Sequence, residues 1–187
     1  MSGGRPGWDA RFAVSDVGEP GPPTALAARL DLLPDGGRAL DVACGRGTVA
    51  VWLAQAGFVV DAVDASPSGL ALGTRLAERE GVAVRWIEAD LTDGLPVEGR
   101  YDVVVCQRYR DPVLYPALFD VLAPGGLLVL TVLSVVGDAG GRFRAAAGEL
   151  LAAFGGLDVV VHSEGRGEAT LVAVRPAPRV GPPTLRR

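Results

Sequence analysis

A glycine-rich turn carries the strongest chemical signal in the sequence. The stretch Ala43–Gly47 follows an apolar run that contains Asp41, and it precedes a helical pattern that begins at Thr48. Glycine has no Cβ, so Gly45 and Gly47 allow a tight turn and a close approach of the backbone to a ligand. The helix after the turn presents free N–H groups to whatever lies before it. This order is typical of the first βα turn of a nucleotide-binding sheet.

Three acidic residues stand at the ends of the first three predicted strands. Asp41 ends the first strand, where its carboxylate can face a cationic amino group. Asp64 ends the second strand, about 20 residues after the turn, where the dinucleotide pattern G-x-G-x-x-G/A has an acid for the ribose hydroxyls. Asp90 follows the third strand, where it can accept a hydrogen bond from an adenine amino group. The turn and Asp64 alone therefore leave NAD open as the ligand.

The elements that position these residues alternate between strands and helices, which predicts a mostly parallel sheet covered on both faces. The last two strands have no helix between them and must pair antiparallel. The predicted fold is α/β: a Rossmann-like sheet of seven strands, mostly parallel, with a C-terminal antiparallel hairpin. The predicted strands are Arg38–Val42, Val59–Val63, Val82–Ile87, Tyr101–Cys106, Leu127–Leu133, Leu157–His162 and Ala169–Arg175. The predicted helices are Thr24–Leu33, Thr48–Ala56, Pro67–Glu80, Pro112–Leu122 and Phe143–Phe154.

Composition indicates one globular domain. Of 187 residues, 49% are hydrophobic and 21% are charged, which is typical of a folded domain. We expect the domain at residues 24–175, between a flexible segment 1–23 and a flexible tail 176–187, both rich in proline. The net charge of −4 argues against a nucleic-acid surface. No apolar run approaches the roughly 20 residues of a membrane span, and no secretory signal is recognisable, so we expect a cytoplasmic protein.

Three features favour S-adenosylmethionine (SAM) over NAD. They are the carboxylate of Asp41 for the amino group of methionine, Asp90 for adenine, and Pro124-Gly125-Gly126 ahead of the fifth strand. The ordered segments Asp41–Gly47, Val63–Pro67, Ala89–Leu91 and Leu122–Gly126 resemble class I SAM-dependent methyltransferases over residues 39–174.

The resemblance implies that Asp64 binds the ribose hydroxyls of SAM. Ala43 stands where the family most often has glycine, which adds a methyl group where the ligand passes. The residues for which cofactor contacts follow are Arg11, Asp41, Ala43, Gly45, Gly47, Asp64, Ala65, Asp90, Leu91 and Cys106.

A second resemblance concerns the N-terminus. Trp8-Asp9-Ala10-Arg11-Phe12 resembles the W-x-x-R-aromatic segment of small methyltransferases of the tellurite-resistance and thiopurine type, which folds over the cofactor as a lid. Trp8 and Phe12 are one helical turn apart and would share a face, so we expect them to cover the cofactor. A disordered leader with a stray tryptophan is the alternative.

Candidates for the acceptor pocket are Trp8, together with Arg108 and Tyr109 after the fourth strand, at the edge of the sheet where ligands bind. A salt bridge and a ring stacked on the sheet edge are the structural alternative for Arg108 and Tyr109. No general base is evident, because the only histidine, His162, lies in the terminal hairpin. Cys44 and Cys106 are expected to be small buried residues beside the pocket with free thiols, and no residue spacing indicates a metal.

Three functional hypotheses follow. The first is a SAM-dependent methyltransferase for a small-molecule acceptor that is already anionic or soft, such as a thiol, a reduced chalcogenide oxyanion or a carboxylate. The second is a SAM-binding module without catalysis, favoured by the short connection 134–142. The third is an NAD-linked oxidoreductase, disfavoured because no second substrate domain is evident.

Overall fold

The computed structural model describes residues 5–138, 141 and 143–177, except for the side chains at positions 5, 6 and 8. Seven strands form one sheet: β1 Gly37–Val42, β2 Phe58–Asp64, β3 Val84–Glu88, β4 Tyr101–Gln107, β5 Leu122–Leu133, β6 Asp158–Gly165 and β7 Glu168–Val174. Their order is β3-β2-β1-β4-β5-β7-β6. The first five are parallel, and β7 pairs antiparallel with both β5 and β6. This confirms the predicted sheet.

The helices are α1 Arg5–Ala13, α2 Thr24–Ala27, α3 Thr48–Gln55, α4 Pro67–Glu80, α5 Tyr115–Asp120 and α6 Glu149–Ala153, with 3₁₀ turns at Leu30–Leu32 and Leu91–Asp93. α4 has the predicted bounds, and α3 is one residue shorter than predicted. α1 lies within segment 1–23, whereas most of the tail 176–187 lies outside the described residues. Among the described residues, no helix has both the length and the apolar character needed to cross a membrane.

The central strands of the sheet are buried on both faces because helices cover them from two sides. Leu40 and Val104 point to one face and lie in the same core as α5 and α6. Ala39 and Val103 point to the other and pack with α2 and α3. The strand order reverses between β1 and β4, and a crevice opens at such a switch point, beyond the carboxyl ends of the strands.

The predicted helix Thr24–Leu33 is wrong in its second half. α2 ends at Ala27, and Arg29 leaves the helical region with φ −139° and ψ 43°. Leu33 has an extended backbone, with φ −70° and ψ 132°, as favoured for a residue that precedes a proline. Leu32 and Leu33 pack on the same core as Leu26.

The predicted helix Pro112–Leu122 is also too long, and the strand after it was predicted too short. α5 covers Tyr115–Asp120, and β5 begins at Leu122 rather than Leu127. Leu122 pairs with Tyr101 before the register shifts. The N–H of Gly125 donates to the carbonyl of Arg175 at 2.8 Å. Pro124-Gly125-Gly126 therefore lies inside an irregular strand, where a proline is tolerated at a bulge.

The predicted helix Phe143–Phe154 is reduced to α6 because its first half pairs with another segment. Ala145 donates to the carbonyl of Leu133 at 2.7 Å and accepts from the N–H of Val135 at 3.0 Å. Phe143 and Gly148 have φ values of 68° and 74°, which a continuous helix excludes. The strands other than β5 begin and end within three residues of their predicted bounds.

Trp86 of β3 packs against two glycines and thereby sets the spacing between α3 and α4. A Cβ on Gly73 would lie 2.6 Å from the Trp86 ring, and one on Gly47 would overlap the same ring. Gly47 precedes α3 with φ 71°, a conformation in which glycine avoids the steric cost of a side chain. The packing of Trp86 against the start of α3 and against α4 therefore requires that neither Gly47 nor Gly73 carries a side chain.

We predict that Gly73→Ala lowers the free energy of unfolding by about 1–3 kcal/mol, the usual cost of overpacking. Inside a helix this change normally stabilises by up to about 1 kcal/mol. Gly7→Ala in α1 is the matched control, because no atom lies within 4 Å of its added Cβ. Urea unfolding measures both variants. Equal or greater stability of Gly73→Ala would contradict the assigned contact.

Candidate active site

A cavity of about 950 Å³ lies at the carboxyl ends of the strands. Its lining includes residues at or just after the ends of β1, β2 and β4 and residues of the segment that follows β3. The cavity therefore lies where the reversed strand order predicts a ligand. The lining residues are Arg11, Phe12, Ser15, Asp41, Ala43, Cys44, Gly45, Arg46, Thr48, Val49, Asp64, Ala65, Ser66, Asp90, Leu91, Thr92, Gln107, Arg108, Tyr109, Arg110, Asp111, Pro112 and Phe143.

Asp64 joins the two turns that form the floor of the cavity. Its Oδ2 accepts from the N–H of Gly45 at 2.7 Å, and its Oδ1 accepts from the N–H of Ser66 at 2.8 Å. Burial raises the pKa of Asp64, while the N–H groups of Ser66, Gly45 and Ala65 oppose that shift. The carboxylate therefore organises the backbone of both turns and also lines the cavity.

Asp41 is a buried carboxyl group with an unused oxygen. The residue is 2% exposed, and in the described part of the chain no group donates to its Oδ2. Burial raises its pKa to about 8 although the backbone N–H of Ala50 opposes the shift, and the charge of Asp64 raises it further. A buried acceptor without a partner is costly, so this group is suited to receive a cation from the cavity.

Asp90, Leu91 and Ala65 also line the cavity, as the sequence predicts for the adenosine side. Oδ1 of Asp90 accepts from the backbone N–H of Thr92 at 3.0 Å and from its hydroxyl at 2.7 Å. This bonding caps the 3₁₀ turn after β3. Because the carboxylate of Asp90 already caps this turn, its contact with adenine stays a prediction.

The two glycines of the turn have different roles, which the sequence did not distinguish. Gly45 faces the cavity, and a Cβ there would lie 2.8 Å from the ring of Phe12. Gly47 faces Trp86 on the opposite side. The predicted role of Gly47 in leaving space for the ligand does not follow from this geometry, because Trp86 and Gly73 occupy the space that its missing side chain leaves.

Cys106 lies behind the cavity wall and not on it. It is buried in β4, and its thiol donates to the carbonyl of Tyr109 at 3.6 Å, so its predicted cofactor contact is not supported by its position. Cys44 does line the cavity. Both thiols are free, and burial followed by the charge of Asp41 raises both pKa values above the ordinary range. Neither is a thiolate at neutral pH.

Helix α1 closes one side of the cavity through a contact that sequence reasoning missed. Oδ1 of Asp9 accepts from the hydroxyl of Ser66 at 2.8 Å and from the N–H of Ser68 at 2.9 Å. The Phe12 ring lies in a notch between Gly45 and Gly69, where a Cβ on Gly69 would be 3.1 Å away. The only sign of this contact in the sequence is Asp9 within the W-x-x-R segment, together with the Ser66-Pro67 pair that begins α4.

The predicted N-terminal contacts are placed only in part. Arg11 and Phe12 both line the cavity. The side chain of Trp8 lies outside the described residues, so its assignment to the acceptor pocket stays a prediction.

Arg108 and Tyr109 line the opposite side of the cavity, where β4 ends. Arg108 has φ 59°, and its Nη2 donates to Oε1 of Glu168 at 2.8 Å. Burial, followed by the charges of Asp111, Cys106 and Asp90, raises the pKa of Tyr109 to about 12. Its hydroxyl is therefore protonated at neutral pH and is not a general base.

No lining residue described is a histidine, since His162 lies in the edge strand β6. Oδ1 of Asp111 already accepts from the N–H of Val113 at 3.0 Å. In the parts of the chain that the structure describes, no group of three or more His, Cys, Asp or Glu side chains could hold a metal ion. Among the described residues, the site thus offers hydrogen-bond acceptors for a cationic nucleoside and no evident base.

This chain is similar to known proteins in sequence and in fold. Residues 39–126 match the methyltransferase domain family. The chain is 39% identical over 104 residues to the ribosomal RNA small subunit methyltransferase C of Alcanivorax borkumensis, covering 50% of this chain and 31% of that protein. It is 39% identical over 100 residues to the ubiquinone biosynthesis O-methyltransferase of Rickettsia conorii, covering 51% and 34%. The matches span about a third of either relative.

The fold is similar to that of TehB from Haemophilus influenzae, with a TM-score of 0.70 and 18% identity over 81% of this chain and 61% of the other. Residues 39–126 thus match a methyltransferase domain, and the sheet has the topology expected of class I SAM-dependent methyltransferases. SAM is the cofactor of this class, which confirms the choice of SAM over NAD.

We predict that Asp64→Ala weakens binding of S-adenosylhomocysteine (SAH), the demethylated product, by about 1–3 kcal/mol, or roughly 5- to 150-fold. The change removes an acceptor for ribose hydroxyls and also frees the N–H groups of Gly45 and Ser66. Calorimetric titration measures the affinity, and Asp93→Ala, on the exposed side of the neighbouring turn, is the control. Unchanged SAH affinity in a folded Asp64→Ala protein would contradict the assignment of Asp64 to the ribose hydroxyls.

We also predict that SAM binding releases a proton near pH 7. The empty protein holds a proton on Asp41 up to about pH 8, whereas an unfolded aspartate ionises near pH 4. Stability contributed by this group is therefore lost as pH rises from about 4 to 8. Cationic SAM favours the ionised carboxylate, so its affinity rises over the upper part of that range.

Titration calorimetry in two buffers of different ionisation enthalpy measures this proton release. Asp41→Asn keeps an oxygen for the N–H of Ala50 but cannot ionise. It should lose the proton release and melt at a higher temperature than the parent protein at pH 8.5. Identical proton release from the parent and the variant would show that another group is responsible.

Proposed function

We propose that this protein transfers the methyl group of SAM to a small-molecule acceptor held in the described cavity. The observation that carries the proposal is the buried, unpartnered carboxyl of Asp41 beside the Asp64-linked turns of a methyltransferase domain. SAM supplies a methyl group already activated on a sulfonium. The protein's part is to align the acceptor with that methyl group and to exclude water.

In this proposal the cofactor contacts follow the sequence prediction with two revisions. Asp64 accepts from the ribose hydroxyls, and Asp41 accepts from the methionine ammonium group. Asp90 accepts from the adenine amino group, and Arg11 binds the methionine carboxylate. The remaining contacts come from Ala43, Gly45, Ala65 and Leu91, all of which line the cavity. Gly47 and Cys106 support this wall from behind.

Helix α1 is proposed to act as the lid of the domain formed by residues 24–175. Its attachment through Asp9 to the start of α4 holds Phe12 over Gly45. Closure of this kind excludes water from the reaction and completes the acceptor pocket. Two free thiols and the absence of a membrane-crossing helix among the described residues support a place of action in the cytoplasm.

The acceptor is proposed to be a small molecule whose reacting atom is already anionic or soft. A neutral hydroxyl or amine needs a positioned base, and Tyr109, with a pKa of about 12, does not supply one. The net charge of −4 disfavours a nucleic-acid acceptor, although one relative is named for ribosomal RNA.

The test is transfer of label from SAM carrying a radioactive methyl group. The panel contains small thiols, carboxylates, phenols and amines, with bulk RNA as the macromolecular comparison. We expect label in a thiol or carboxylate, formation of SAH in equal amount, and a rate at least about tenfold lower in Asp64→Ala. Binding of SAM without any transfer would contradict the proposal and favour a SAM-binding module without catalysis. Transfer only to RNA would contradict the proposed small-molecule acceptor.

A further inference from the structure

The cavity is larger than the cofactor contacts require. Its volume of about 950 Å³ is near the upper end of the roughly 300–1,000 Å³ typical of small-molecule sites. The proposed cofactor residues occupy the ends of β1 and β2 and the turn after β3. A further part of the lining begins at the last residue of β4 and precedes α6; it consists of Gln107, Arg108, Tyr109, Arg110, Asp111, Pro112 and Phe143. This second wall is available for an acceptor.

Backbone strain is concentrated on the cavity. Four described residues other than glycine have positive φ, and three of them, Ala43, Arg108 and Phe143, line this cavity. Such conformations are costly for residues with a side chain and cluster at ligand sites. The N–H of Arg108 donates to the carbonyl of Thr131 at 2.7 Å, which holds its strained conformation. Glycine would relieve the strain at Arg108 and Phe143, so the side chains at these positions are expected to serve the ligand.

Arg108 differs from its neighbour Arg110 in how firmly it is held. Arg110 makes two hydrogen bonds to Glu149, of 2.6 and 2.7 Å, and the two side chains are 21% and 18% exposed. Arg108 makes one ion pair with Glu168, and these side chains are 71% and 41% exposed. Exposed ion pairs contribute little to stability. A ligand anion can therefore replace Glu168 at small cost.

Two aromatic side chains line the same wall as Arg108. Phe143 is largely exposed at the cavity, and an exposed aromatic residue beside a cleft is suited to contact an apolar ligand. Tyr109 adds a second ring, and its protonated hydroxyl repels no anion. The wall thus combines two aromatic rings with the guanidinium group of Arg108. Its other charged groups have partners of their own: Arg110 is paired with Glu149, and Asp111 accepts from the N–H of Val113.

Resting on the function proposed above, we propose that the acceptor is a planar aromatic carboxylate. Arg108 binds its carboxylate in place of Glu168, and Tyr109 and Phe143 contact its ring. Arginine suits this task because its planar fork matches a carboxylate. The carboxylate anchors the acceptor. A second group of the same molecule that is already anionic, such as a thiolate, forms a bond to the methyl carbon, the bond from that carbon to the sulfonium sulfur breaks, and neutral SAH leaves, so no base is required.

The test compares two probes of equal shape, naphthalene-2-carboxylate and naphthalene-2-carboxamide, on the protein saturated with SAH. Titrations followed by NMR of the probe give both affinities. We expect the carboxylate to bind about tenfold more tightly than the amide, as for one charge-assisted hydrogen-bonded pair. The ratio should fall to near one in Arg108→Gln. It should persist in Arg75→Gln, a change of an exposed arginine on α4, and should persist or rise in Glu168→Gln.

Several results would overturn this proposal. They are no binding of either probe, no preference for the carboxylate, a preference that survives in Arg108→Gln, and a preference lost instead in Arg11→Gln. The affinity of each variant for SAH is measured first and shows that it is folded. A parent protein that binds no SAH would defeat the proposed function itself, which separates that failure from failure of the acceptor assignment.

Discussion

The hydrogen bonds of Asp64 are the interaction on which the rest of the site depends. One carboxylate accepts from the turn after β1 and from the turn after β2, at 2.7 and 2.8 Å. Because these bonds orient Gly45 and Ser66, they also determine where Phe12 and Asp9 of α1 can bind. The cavity floor and helix α1 are therefore coupled through one side chain.

The second constraint is the stability cost of keeping Asp41 ready for a cation. Its burial and its unpartnered oxygen destabilise the empty protein at neutral pH, as its pKa of about 8 indicates. The strained residues Arg108 and Phe143 have a similar cost on the opposite wall. Both walls of the cavity thus contain groups that the fold alone does not need, which is typical of sites selected for binding and not for stability.

The sequence predicted the sheet, α3, α4 and the position of the crevice because these follow from local periodicity and turn chemistry. It failed for residues 143–148, where helical residue types are overridden by the hydrogen bonds of Ala145 to Leu133 and Val135. It did not separate Gly45 from Gly47, because the partner of Gly47 is Trp86, distant in sequence. The docking of Asp9 on Ser66 was missed for the same reason.

The most direct measurement of the central claim is a pair of calorimetric titrations of the whole chain, one with SAH and one with NAD⁺. In the proposed assignment, Asp41 accepts from the ammonium group of SAH and Asp64 accepts from its ribose. We predict that SAH binds with one site per chain and that NAD⁺ gives no heat of binding at the same concentration. Binding of NAD⁺ with none of SAH would contradict the assignment of this cavity to SAM.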